Sequence, residues 1–113
     1  MPLKRMLLEI GMGNDLHGGD YTKAAIRAIE DATHHSSLTM VRSLGADWSR
    51  VQVEVNIGVQ KPDAVDREAV KAALPAGRVT VNVVKGGLDV PDEEVGDIAV
   101  IATAGIIVRM DLP

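Results

Sequence analysis

The chain has no cysteine and no phenylalanine, and its aromatic residues are one tryptophan and one tyrosine. Without cysteine, disulfides, thiolate metal centres, iron–sulfur clusters and thiol nucleophiles are excluded. Two aromatic residues are too few for a stacking platform for single-stranded nucleic acid. The core must come from valine, isoleucine, leucine, methionine and alanine. Positive charge is also in deficit: 12 Lys and Arg stand against 16 Asp and Glu, a formal net charge of −4. That balance opposes a phosphate backbone or an anionic membrane surface as partner. No apolar run approaches the ~18–20 residues of a membrane span, and none near the N-terminus suits a signal peptide. A cytoplasmic protein, with no nucleic-acid or membrane partner, is the expectation.

The 113 residues, 46% hydrophobic and 25% charged, predict one globular domain over 1–113. Leu3 to Ile10 reads as a strand ended by a glycine-rich loop. Asp20 is placed to cap a helix that starts at Tyr21, with Ala25, Ile26, Ile29 and Ala32 as its apolar stripe. No Gly or Pro interrupts Tyr21 to Leu44, although His34-His35-Ser36-Ser37 predicts a kink or break. Met40, Val41 and Leu44 resume the stripe, and Gly45 is a C-terminal stop. Val51, Val53, Val55, Ile57 and Val59 alternate with polar or small residues, which is a half-buried strand. Asp63 or Asp66 can cap a short helix through Leu74, and Pro75-Ala76-Gly77 is a turn. Val79, Val81 and Val83 mark a third strand. Lys85 to Gly96 reads as loop, and Asp97 to Leu112 as a fourth strand, apolar on both faces, with Gly105 marking a bulge or a close approach.

This order, β-α-β-α-β-β, predicts an α+β two-layer sandwich on a mixed four-stranded sheet. In topology it resembles the Bacillus-type chorismate mutase fold. Proteins of that fold are typically trimers with ligand sites between subunits, so the resemblance implies a homo-oligomer, a trimer first. A ferredoxin-like fold is the alternative and would need a hidden strand between Gly45 and Asp63.

Chemistry concentrates between Gly11 and Asp20, where ten residues hold four glycines, two aspartates and a histidine. The stretch reads G-x-G-x-D-x-H-G from Gly11 to Gly18. A dinucleotide fingerprint needs a third glycine at Leu16, and a P-loop needs Gly-Lys-Ser/Thr; both fail. A glycine-rich turn into a helix N-terminus still suits an anion, opposed by Asp15 and Asp20 and favoured by Lys23. The ligand-contacting set expected is therefore Gly11, Gly13, Gly18, Asp20, Lys23 and Arg27. Asp15 and His17 are the expected acid/base pair, either converging on a substrate or with Asp15 orienting the imidazole. A metal site from Asp15, His17 and Asp20 matches no defined ligand spacing, so neither metal nor cofactor is expected. Lys23, Arg27 and Asp31 recur every four residues as a polar face. Glu54, Asn56, Thr80 and Asn82 are polar residues on apolar strands, facing water or lining a pocket.

The G-x-G-x-D-x-H-G stretch, its continuation Asp20-Tyr21-Thr22-Lys23-Ala24-Ala25-Ile26-Arg27-Ala28, Leu74 to Val81 and Val84-Lys85-Gly86-Gly87-Leu88 together resemble the "Lin" family of hypothetical bacterial proteins. The resemblance marks Gly11, Gly13, Asp15, His17 and Gly18 without assigning them a reaction. Three functions stay open: an enzyme acting on a small polar or anionic metabolite near a subunit boundary, a ligand-binding or regulatory module without turnover, and a structural oligomer.

Overall fold

The computed structural model describes residues 4–34, 51–74 and 78–110. The expected helix beyond His34, the stripe Met40, Val41 and Leu44 with the Gly45 stop, His35, the Pro75–Gly77 turn and Leu112 lie outside them.

The alternation from Val51 to Val59 produces β2 (Gln52–Val59), whose Val53, Val55, Ile57 and Val59 are buried. Its neighbours are β3 (Arg78–Lys85), parallel, and β5 (Asp97–Met110), antiparallel. The far edge of β5 pairs antiparallel with β1 (Lys4–Asp15), so the path is β1-β5-β2-β3. Beyond the end of β2, β5 continues against β4 (Leu88–Asp92). The sheet is thus five-stranded and not four-stranded. β4 lies in the stretch expected as loop: after the Gly86-Gly87 turn, Leu88-Asp89-Val90 alternates for only a few residues. Among the described residues the element order also departs from the β-α-β-β-α-β of the ferredoxin-like alternative.

Among the described residues two α-helices lie in the connections between the parallel strands: α1 (Tyr21–Thr33) between β1 and β2, and α2 (Arg67–Ala72) between β2 and β3. Each opens on an aspartate. The Asp20 carboxylate accepts from Lys23 N–H, and the Asp66 carboxylate from Glu68 and Ala69 N–H. Such a cap is worth roughly 1 kcal/mol. α1 packs over β1, β5 and β2, and α2 packs beside it over β3; Val100, Ala102, Ala104, Ile106 and Val108 of β5, the buried valines of β2 and Val70 of α2 share one core.

β1 departs most from expectation. It does not end at Ile10 but runs through Gly11, Gly13 and Asp15. The glycines face α1, whose Ala24, Ala25, Ala28 and Ala32 are fully buried. A Cβ on Gly13 would lie 2.1 Å from Ala28 N, and one on Gly11 2.3 Å from Ala28 O. Strand glycines and helix alanines let two backbones touch, so these glycines seat a helix and leave no room for a ligand beside them. The irregularity expected at Gly105 lies instead in β1, between Arg5 and Leu7.

Candidate functional site

Where β1 ends, the chain bends through Leu16 to Gly19 and enters α1. Gly18 and Gly19 take φ of +96° and +63°, values that side chains disfavour. Asp15, the last strand residue, points inward at 4% exposure. Its Oδ2 accepts from Asp20 N–H at 2.9 Å. Its Oδ1 lies 3.6 Å from Arg27 Nη1 and 4.0 Å from Lys23 Nζ. Lys23 and Arg27 were expected to hold the carboxylate of a substrate; the carboxylate beside them belongs to Asp15.

His17 points the other way, its side chain 88% exposed, and its Nδ1 lies 3.1 Å from Asp97 Oδ2. The expected Asp15–His17 pairing is therefore replaced by Asp97–His17, across 80 positions of sequence. Asp97 Oδ1 also accepts from Gly18 N–H (3.0 Å) and Ile98 N–H (2.8 Å). The Gly18 N–H, then the Ile98 N–H, then the His17 ring hold the Asp97 carboxyl below its usual range, because each favours the anion. An imidazole that donates Nδ1–H to a carboxylate keeps its Nε2 lone pair free, here toward solvent. The carboxylate fixes ring and tautomer, as a positioning acid does for a general base.

Next to this pair, Tyr21 in the first turn of α1 donates its hydroxyl to Asp89 Oδ2 of β4 at 2.5 Å. Burial first, then the Asp89 carboxylate, push the phenol up to about 12. The other oxygen of Asp89 is buried and unpartnered. On the outer side of α1 an open groove of about 370 Å³ is lined by Asp20, Thr22, Lys23, Ile26, Arg27 and Glu30.

Of the sequence-derived set, the structure brings Asp15, Asp20, Lys23 and Arg27 together, and sets His17 and Gly18 against Asp97. Gly11 and Gly13 lie apart, beneath α1. The polar face of α1 is not merely solvated: Asp31 Oδ2 accepts from Met12 N–H (2.9 Å) and Arg27 Nη1 donates to Asn14 C=O (2.7 Å), both on β1. Asp97 and Asp89 were missed. The signal for Asp97 was available only through register: Asp15 pairs with Val100, which brings the start of β5 to Gly18. Among the described residues, no three of His, Asp and Glu gather as a metal site, and no helix is long and apolar enough to cross a membrane.

The comparisons with known proteins agree on kinship and are silent on chemistry. A conserved hypothetical protein family, Lin0512, matches residues 5–108. A crystal structure of an FtsZ-like protein of unknown function from Nostoc punctiforme is 35% identical, with a TM-score of 0.84 over 99% of both chains. No curated protein matches. With the family match spanning nearly its whole length, the chain belongs to the Lin0512 family of conserved hypothetical proteins.

Proposed function

We propose that the protein acts on a small polar metabolite at the Leu16–Asp20 bend, with His17 as the group that exchanges a proton with it. The observation that carries this reading is the Asp97 carboxylate on His17 Nδ1, which orients the ring and leaves Nε2 as the working atom. Asp97 is then the positioning residue, in the role first given to Asp15. The groove beside Lys23 and Arg27 suits an uncharged or zwitterionic ligand better than a simple anion, because Asp15 already offsets both cations. The element order, with β4 as an addition, supports the likeness to the Bacillus-type chorismate mutase fold, and with it a homo-oligomer that encloses the bend.

A second reading is favoured by the other bonds of Asp97. Held in place by the N–H of its neighbour Ile98, it ties the bend to β5 through the Gly18 N–H, and His17 then merely completes a latch. Nitrogen-resolved NMR of His17 together with a metabolite screen divides the two. The acid/base reading expects the neutral ring to carry its proton on Nδ1, with Asp97→Asn moving it toward Nε2. It also expects a ligand or turnover that is lost in His17→Ala while the melting temperature holds. If no compound depends on His17, and His17→Ala and Asp97→Asn melt equally early, the latch stands and the acid/base reading falls.

A further inference from the structure

Among the described residues both helices cover one face of the sheet, and the other face is left with large apolar side chains in water. Ile10 is 62% exposed, Met12 60%, Leu88 54% and Val90 46%, with Leu8 beside them. The register gathers them: Ile10 stands opposite Gly105, Met12 opposite Thr103 and Leu88 opposite Ile101. A free monomer seldom exposes so continuous an apolar patch.

Individual groups on the outer edges of β1 and β3 are already occupied, while the face is open. On β1 the Met12 N–H is taken by Asp31 and the Asn14 C=O by Arg27. At β3, Arg67 Nη1 reaches the Val81 C=O at 3.4 Å. Occupied edge groups do not recruit another strand, so association falls to the face. The central charges there are satisfied within the chain. Arg109 donates to Glu54 at 3.0 Å, Asn56 donates to Glu54 and to the Gly105 C=O, and Asn82 donates to Asn56. Such a face meets an identical one without a single-sign field to repel it, as a self-complementary contact requires. The five strands, at about 3.3 Å per residue and about 4.8 Å apart, give the whole face a flat footprint of roughly 750 Å², and its accessible surface is larger because side chains stand out from it. A stable interface takes about 800 Å² from each partner.

We propose that a second copy of this chain packs on the helix-free face of the sheet, with Ile10, Met12 and Leu88 at the centre of the contact. The assignment does not depend on His17. Light scattering coupled to size exclusion on the full chain tests it, at micromolar concentration and below. The expected result is a mass of at least two chains for the wild type, reduced to one chain in Ile10→Asp, Met12→Asp and Leu88→Asp. Val95→Asp, at an apolar position in the turn after β4 that is 72% exposed, keeps the wild-type mass. Circular dichroism shows whether each variant is folded. Should the Asp variants unfold, Thr103→Cys on the same face replaces them: in a chain otherwise free of cysteine, a label there is shielded in the assembly and becomes reactive on dilution. A single-chain wild type overturns the proposal. So does an assembly that survives the folded face variants, or a label equally reactive at every concentration.

Discussion

Replacing Gly13 by alanine adds one methyl group where none fits. Its Cβ would meet Ala28 N at 2.1 Å, and Ala24 O and the Arg27 carbonyl carbon at 2.5 Å. Favourable contact begins near ~3.5 Å, so α1 must retreat by roughly an ångström. The obstacle is helix backbone, which has no rotamer to change. Retreat also loosens Ala24, Ala25, Ile29 and Ala32, all at most 1% exposed. Overpacking of this kind costs about 1–3 kcal/mol, and the rigid obstacle places Gly13→Ala near ~3. A glycine replaced where φ is compatible gains about 0.4–1 kcal/mol from the unfolded chain, and neither Gly13 nor Gly105 has positive φ. The net expectation is ~2 kcal/mol of destabilisation, a drop of about 8–10 °C in melting temperature for a domain of this size.

Gly105→Ala is the control within the same sheet. Within the chain its Cβ would find only Leu8 Cδ1, at 3.8 Å, so the variant is expected at wild-type stability or slightly above when both are compared as single chains, since Gly105 lies on the proposed contact face. Both are measured by urea titration and calorimetry at one protein concentration, since association shifts apparent stability. Adding Ala28→Gly to Gly13→Ala does not restore stability, because the clash is with the Ala28 nitrogen and not with its methyl group. Gly13→Ala equal to Gly105→Ala, or rescue by Ala28→Gly, would refute the close seating of α1 on β1.

Tyr21 predicts an alkaline limb. Its folded pKa lies above its unfolded one, so its contribution is complete below pH ~10 and is lost between about 10 and 12. The shift, from 10.0 to about 12, is worth at most ~2.7 kcal/mol, and nearer 1–2 once solvent screening at the partly exposed Asp89 is allowed for. In urea midpoints across that range, Tyr21→Phe should fall less steeply than wild type; parallel curves would remove the Tyr21–Asp89 bond from the argument. Asp15→Asn keeps an acceptor for Asp20 N–H but surrenders the charge beside Lys23 and Arg27. A loss of ~1–2 kcal/mol is expected, with stability less sensitive to salt than in the wild type. A variant as stable as the parent, with unchanged salt dependence, would mean that the two cations do not brace the bend through Asp15.

What the sequence disclosed depended on whether a residue's role was local. Val53, Val55, Ile57 and Val59 announced β2 because alternation needs no knowledge of the partner strand, and Asp20 announced its cap because a cap bonds within one turn, while the sequence left the second cap open between Asp63 and Asp66 and the fold assigns it to Asp66. Gly11 and Gly13 were opaque: a missing side chain permits a loop, a ligand or a packed helix equally. Their counterpart was in view at Ala24, Ala28 and Ala32, a small-residue stripe every four positions, but only the fold shows that this stripe lies on those glycines. β4 escaped because five residues following two glycines carry too little pattern. Asp97 escaped because its bond to His17 is set by the β1–β5 register, 80 positions away in sequence.

The stretch from Gly11 to Gly18 now has a physical parsing. Gly11, Gly13, Asp15 and His17 are spaced by two, the period of a strand, and a strand would turn all four toward the helix layer. The first three comply: two glycines beneath α1, and a carboxylate beneath the bend. His17 is where the parity breaks. The positive-φ glycines that follow turn the chain, and Asp97 draws the ring outward instead of letting it continue the buried row. Seating a helix explains the glycines, and bracing the bend explains Asp15. Neither requires an imidazole at 17, because the Gly18 N–H bound to Asp97 already ties the bend to β5 without it. The position that architecture does not need is the one that presents an imidazole to solvent, and that is the ground on which we propose His17 as the working residue.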